Sequence, residues 1–226
     1  MDLNIRAFRA MDDVKIRDEY HVGLEQVLLY YGVTRVTSQS RDWFDSPDTW
    51  LVVVQDREDG TVLGGARMQM ASNDLPLPIE RAVAFKDTRI YTEVDKYREN
   101  GLGELCGLWN SRKVAGMGLG SIYLGITCVS IAVKINMNTV MCLCAPSTKQ
   151  NCFRVGFKLN KELGVQGEFV YPKENLVATA LIINDPLEIP EAEEFEKSRI
   201  LALRQNGKLV ADETTPRGDI RIFYDI

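Results

Sequence analysis

The stretch from Glu104 to Pro146 limits the folds open to this chain more than any other feature. Leu105-Cys106-Gly107-Leu108-Trp109 is an apolar strand, and a glycine-rich loop runs from Asn110 to Gly120. Leu119 to Lys134 is apolar nearly all round, which predicts a buried helix. Thr139 to Ala145 is a second continuous apolar run, closed by Pro146, and reads as a strand covered on both faces. A strand, a helix and a buried strand in succession make a right-handed parallel unit the natural arrangement. Glycines let the loop turn tightly and come close to a ligand. The helix that follows begins with free N–H groups and a positive dipole end, which suit a pyrophosphate. Lys113 would add charge at the rim. A glycine-rich structural turn would have the same spacing.

The flanking segments supply the rest of a mixed α/β domain. Leu3, Ile5 and Ala7 alternate with polar residues as a first strand. Asp12 or Asp13 caps a helix in which Tyr20, Leu24, Val27, Leu28 and Tyr31 recur at helical spacing, ended by Gly32. Trp50–Val54 and Val62–Met68 form a hairpin about Asp56-Arg57-Glu58-Asp59-Gly60. Residues 71–103 form a long connection, broken by Pro76 and Pro78, with a short helix at Ile79–Phe85; long connections of this kind are often functional. Thr148 to Val155 is a short helix closed by Gly156. Phe169–Tyr171 and Leu176–Ile183 form a hairpin. After Asp185-Pro186 come an acidic, helical stretch over Glu188–Glu196, a turn at Asn206-Gly207, and a last strand through Ile220, Ile222 and Tyr224. The expectation is a single domain over 1–226, with a core of about 1–185, an insertion at 71–103 and a C-terminal extension at 186–226.

Composition removes several classes of function. A net charge of −5 gives no footprint for nucleic acid. No apolar stretch is long enough for a membrane helix, and the N-terminus lacks the apolar core of a signal peptide. The five cysteines are an odd number, mostly inside apolar runs, which fits reduced thiols in a cytoplasmic protein. A single histidine makes metal sites and multi-histidine chemistry poor expectations. No metal is expected. His21 lies in the first helix with no evident partner, and a structural or exposed role is expected of it.

The loop resembles the acetyl-CoA loop of the GCN5-related N-acetyltransferases, whose signature is Gln/Arg-x-x-Gly-x-Gly/Ala after the fourth strand. Lys113, Gly116 and Gly118 take those places, so the first position departs from the pattern, and Leu119-Gly120 continues it. Asn151-Cys152-Phe153-Arg154-Val155-Gly156-Phe157 resembles the family's fourth helix, which commonly ends in Gly-Phe. The order of elements agrees over Leu3 to Ile183. The resemblance implies a mixed, mostly antiparallel central sheet with a parallel pair at its centre and helices on its flanks. It implies an acyl-CoA co-substrate, acetyl-CoA above all. The pantetheine arm would run along the backbone of Leu108, Trp109 and Asn110, and Gly116, Gly118, Leu119 and Gly120 would cradle the pyrophosphate. The acceptor would be an amine of a small molecule or peptide.

Acyl transfer to an amine needs a base for the amine proton and an acid for the departing thiolate. The resemblance places the base at Glu104, for which solvent-exposed strand capping is the competing reading. Cys152 stands where many members carry an acidic tyrosine. A thiol can donate a proton, although apolar packing explains a cysteine equally well. Tyr123, early in the buried helix, reads as core.

A fainter resemblance is to the acyl-homoserine lactone synthases of the same fold. Trp43, Asp45 and Asp48 fall near that family's aromatic and acidic positions, Arg67 near its arginine at the end of the hairpin and Glu104 near its fourth-strand glutamate, while Gly107 and Arg67-Met68-Gln69-Met70 depart from its pattern. Ser46-Pro47 between the two aspartates also fits simple turn chemistry. That reading implies S-adenosylmethionine and an acyl carrier protein, for which an acidic chain is a poor partner. A third reading is an acyl-CoA-binding protein without turnover. The C-terminal extension would either cover the sheet or form a homodimer contact.

Overall fold

The structure is a computed structural model that describes residues 1–33 and 36–226, with the side chain of Ser121 left undescribed. Its centre is a ten-stranded mixed sheet. Strand β1 (Asp2–Arg9) leads to helix α1 (Val14–Tyr30), whose first turn is capped by the Asp13 carboxylate accepting from the Ile16 amide at 3.2 Å. The hairpin β2 (Thr49–Asp56) and β3 (Val62–Met70) follows as expected. The long connection is not irregular: it holds α2 (Pro78–Val83) and α3 (Arg89–Arg98). Pro78 at the first helical position starts α2, where its missing N–H costs no hydrogen bond.

The unit foreseen from the glycine-rich stretch comes next: β4 (Leu102–Asn110), the loop, α4 (Leu124–Ala132) and β5 (Thr139–Cys144), with β4 and β5 parallel. The expected helix start at Leu119 is instead a wider π-type turn over Leu119–Tyr123, in which the Gly118 carbonyl accepts from both Ile122 and Tyr123. Helix α5 (Pro146–Arg154) and strands β6 (Lys158–Leu159), β7 (Glu168–Val170) and β8 (Val177–Ile183) complete this half. The acidic stretch turns helical later than its charge suggests, as α6 (Glu194–Asn206), before the hairpin β9 (Lys208–Thr215) and β10 (Gly218–Asp225).

The sheet runs β6-β8-β5-β4-β3-β2-β1-β10-β9, with β7 beside β8. Its pairings are mostly antiparallel, with the parallel β4–β5 pair inside. A second parallel pair, β1 with β10, was not foreseen. The C-terminal extension therefore lengthens the sheet, and it also covers it, since Ile200 and Leu203 of α6 join the core beneath α4. Alternate residues of each strand feed opposite faces. Val52 and Val54 of β2 meet α4, whereas Leu51 and Val53 meet α1 with Tyr20 and Trp43. Leu102 and Met141 meet α2 and α3. Helices α1, α2 and α3 thus share one face, and α4, α5 and α6 the other. No helix among the described residues is long and apolar enough to cross a membrane.

Candidate active site

The parallel pairing of β4 and β5 stops early. It runs from Leu102↔Thr139 to Leu105↔Cys142, after which the two strands separate. The cause lies in β4. Arg67↔Cys106 and Gly65↔Trp109 bracket a register shift against β3, so β4 spends one residue more than its partner. Such a bulge bends the strand that carries it. Gly107 lies there with φ +58°, and a Cβ on it would come within 2.4 Å of the Tyr20 hydroxyl oxygen. A glycine inside a strand is the sequence signal for this feature.

Beyond the bulge, Trp109 and Asn110 pair with β3, and none of Leu108, Trp109 and Asn110 pairs with β5 among the described residues, so the β5-facing edge is open. That edge borders a cavity of about 1560 Å³. Its wall includes α1, the loop after β4, the end of β5, the start of α5 and the segment 171–178. This volume exceeds the usual few hundred Å³ of a small-ligand pocket and has room for a large donor beside an acceptor.

Of the expected donor contacts, Leu108, Trp109, Asn110, Gly116 and Gly120 line this cavity. Gly118 has φ +76°, a conformation that favours glycine. Gly120 is also required by packing: a Cβ there would lie 1.8 Å from the Asn110 side-chain oxygen. It lets the helix entrance press against the end of β4. Leu119 is buried in the core beneath the loop, so only its backbone can face a ligand. The Lys113 ammonium is engaged by Asp56 at 2.8 Å, which ties the loop to the β2–β3 hairpin. The C-terminal extension also reaches the loop. Arg217, in the β9–β10 turn, donates to the Ala115 carbonyl at 2.9 Å, and Tyr123 donates to Glu213 of β9 at 3.1 Å. Sequence spacing holds no signal for either contact.

Glu104 is not a solvent-exposed cap. It is 2% exposed, lines the cavity, and accepts a 2.8 Å hydrogen bond from the Ile79 amide of α2. Burial drives its pKa up to about 8, against the opposing pull of that amide and of the Arg67 guanidinium. Cys152, half-buried on α5, lines the cavity beside Cys142 and Cys144. All five cysteines are free thiols. Met141 and Glu104 share the face of α2 and α3, whereas Cys142 and Cys144 share the face of α4. The cavity passes between these two sides where the strands separate.

The residues of the fainter resemblance divide. Trp43 is fully buried, with the Arg67 guanidinium 4.6 Å from its ring centre, and Arg67 donates to the Cys106 sulfur at 3.2 Å. Trp43 and Arg67 lie outside the cavity lining, with the Arg67 charge close enough to act on Glu104. Asp45 and Asp48 are exposed, and the Ser46 hydroxyl accepts from the Asp48 amide at 3.2 Å, as turn chemistry requires. His21 departs from expectation in part. It is 1% exposed, which is the structural of the two roles expected, and it does have partners: Arg41 donates to its Nε2 at 3.1 Å, and a Glu25 carboxylate oxygen lies 3.2 Å from the same nitrogen. Among the described residues, no group of three or more histidines, cysteines and acids is arranged to hold a metal ion.

A mixed sheet whose parallel pair splays beside a glycine-rich loop defines the acyltransferase fold shared by the GCN5-related N-acetyltransferases and the acyl-homoserine lactone synthases. Comparison with solved structures bears this out. FeeM, an N-acyl amino acid synthase from uncultured soil microbes, superposes with a TM-score of 0.64 at 13% identity, over 87% of this chain and 97% of FeeM. MesI, a CoA-dependent acyl-homoserine lactone synthase, gives a TM-score of 0.55 at 13% identity, over 89% and 95% of the two chains. A protein provisionally assigned as a phosphinothricin N-acetyltransferase gives 0.52 at 16% identity, over 80% and 97%. No family model matches the sequence, and no curated protein matches it. At these identities the likeness is one of fold.

Proposed function

We propose that this chain is an acyl-CoA-dependent N-acyltransferase acting on an amine of a small molecule or peptide. The observation that carries the reading is the placement of Glu104. A buried carboxyl whose pKa is raised to about 8 lines the same cavity as the open edge of β4 and as Gly116 and Gly120 of the glycine-rich loop. A base works best when its pKa lies near the working pH.

The chain's own residues have distinct tasks in this reading. The backbone of Leu108 to Asn110 holds the amides of the pantetheine arm as a strand would. The loop from Gly116 to Gly120 receives the pyrophosphate, with the positive end of the following helix behind it. The thioester then lies in the opening between the strands. An amine arriving from the side of α2 meets the thioester carbonyl, and Glu104 takes the amine proton. The departing CoA thiolate takes a proton from the thiols on the opposite wall, of which Cys152 is the foreseen donor.

The lactone-synthase reading retains one supporting observation, the Trp43–Arg67 stack, whose guanidinium charge acts on Glu104. Its two aspartates lie in solvent. Thermal unfolding with acetyl-CoA, a longer acyl-CoA, CoA and S-adenosylmethionine in separate samples distinguishes the readings. A ligand bound only by the folded state adds RT ln(1 + [L]/Kd), about 2.7 kcal/mol at a hundredfold excess. Stabilisation by acyl-CoA, followed by Glu104-dependent release of CoA with an amine library, is the expected result. Stabilisation by S-adenosylmethionine alone would favour the lactone synthase. A response to none of the four would refute the donor site.

A further inference from the structure

Three thiols meet on one wall of the cleft. Cys142 and Cys144 stand two residues apart on β5, so both point to the α4 face. Cys152 lies on α5, near enough to each for their charges to interact. All three line the cavity that also holds Glu104. Cys144 is the last residue of β5, where the strand has left β4, and Pro146 begins α5 two residues later. Thr148 and Lys149 lie in the first turn of α5, and the Lys149 charge, paired with Glu168 at 3.3 Å, is near enough to act on Cys144.

The trio divides its protons unevenly. Its neighbours Cys142 and Cys152 hold the Cys144 thiol below the ordinary thiol range, helped by the Lys149 charge. Cys142 stands above an ordinary thiol because of the same two neighbours and its burial, and Cys152 is raised by Cys144 and by burial, against the lowering by Cys142. A thiol that ionises readily beside two that hold their protons pairs a nucleophile with an acid.

We propose that Cys144 is a nucleophile that receives the acyl group from the CoA thioester, so that transfer proceeds through an acyl-cysteine at the end of β5 in place of direct attack by the amine on the CoA thioester. This rests on the reading of the cleft as an acyl-CoA site. In the first step the Cys144 sulfur bonds to the acyl carbon, and the bond from that carbon to the CoA sulfur breaks. The CoA thiolate leaves with the electron pair and takes the Cys152 proton. In the second step the amine nitrogen bonds to the acyl carbon and its proton passes to Glu104. The bond to Cys144 breaks and the thiolate is restored, while solvent returns the proton from Glu104 to Cys152. One thioester replaces another, so no oxidant or reductant enters. A thiolate of low pKa is a weaker nucleophile but a better leaving group, which favours the second step. The two walls match the two steps, with thiols on the α4 side and Glu104 on the α2 side.

The test incubates the full-length reduced protein with acetyl-CoA and no amine, then measures intact mass after an acid quench. In parallel, exchange of labelled CoA into acetyl-CoA is followed, and donor binding is measured separately by thermal shift. Expected are one hydroxylamine-labile acetyl group on Cys144 and CoA exchange that Cys144→Ser and Cys144→Ala both abolish. Cys152→Ser should slow exchange at least tenfold while leaving the site of acylation unchanged. Donor stabilisation without acylation or exchange would overturn the acyl-cysteine and leave the acyl-CoA site standing. Exchange undiminished in both Cys144 variants would overturn it as well. Absence of any donor stabilisation would remove the acyl-CoA site, and the acyl-cysteine with it.

Discussion

The hydroxyl of Tyr20, on α1, donates a 2.6 Å hydrogen bond to the carbonyl of Gly107, on β4. Tyr20 is fully buried, so this bond fixes from behind the bulge that separates β4 from β5. Tyr20→Phe leaves a carbonyl without its donor and should cost about 1–3 kcal/mol in urea unfolding. Gly107→Ala should cost more, since it strains a positive φ and meets the Tyr20 hydroxyl. Both should weaken donor binding, and a Tyr20→Phe protein as stable and as tight-binding as the wild type would contradict this account of the bulge.

The pH dependence follows from Glu104. Its pKa is raised from 4.5 to about 8, so the basic form grows as pH rises through about 8. The kcat/KM profile should climb along that limb. Glu104→Gln should lower kcat by roughly 10² to 10⁴ and flatten the limb. Stability runs the opposite way. The retained proton favours the folded state fully below about 4.5, and that contribution is lost as pH rises through about 8. Glu104→Gln should therefore gain stability relative to wild type at pH 9, as measured by thermal unfolding at both ends of the range.

The loop makes opposite demands at neighbouring positions. Gly118→Glu places a Cβ where φ is +76°, about 3.1 Å from Ile122, and brings a negative charge to the phosphate side. Calorimetric titration should show loss of acyl-CoA binding by at least tenfold, about 1.4 kcal/mol. Lys113→Ala should change Kd less than about threefold, because Asp56 already holds the ammonium and an exposed pair contributes little.

The C-terminal hairpin should matter to the donor through Arg217. Removal of its bond to the Ala115 carbonyl loosens the loop without touching the reacting atoms. Arg217→Ala should raise KM for acyl-CoA roughly threefold to tenfold, about 1 kcal/mol, with kcat little changed. Arg217→Lys should recover part of the loss. A fall in kcat at constant KM would show that the hairpin acts elsewhere.

Acid stability should depend on His21. Burial lowers its pKa below 6.5, in spite of the opposing Glu25 carboxylate. A group held neutral in the fold contributes stability above its unfolded pKa that is lost as pH falls below it. The wild-type melting temperature should drop below about pH 6.5 more steeply than that of His21→Gln, and parallel profiles would refute the assignment.

Much of the site was legible because it is local. The apolar run of β4, the glycines after it and the apolar run of β5 lie within one stretch, so their order alone implied a cleft wall and a ligand loop. The state of Glu104 was not legible, because its burial comes from α2, whose Ile79 amide is 25 residues away. The thiol cluster escaped for a related reason. Cys142 and Cys144 read as buried core, and their meeting with Cys152 depends on how α5 turns back across the end of β5. Gly107 was visible as a glycine inside a strand, yet its meaning needed Tyr20, 87 residues away.

The sequence by itself determined the elements and their order, since period-two and period-3.6 patterns, caps and turn residues act over a few neighbouring positions. It also determined the central strand–loop–helix–strand unit, because an apolar helix between two buried strands has few ways to hide its surface. Tertiary structure alone decided where β4 parts from β5, that the C-terminal hairpin pairs with β1, and that Glu104 and three thiols face one cavity. Those outcomes depend on pairings between distant segments, whose free energies come from burial and hydrogen bonds that no local window of sequence contains.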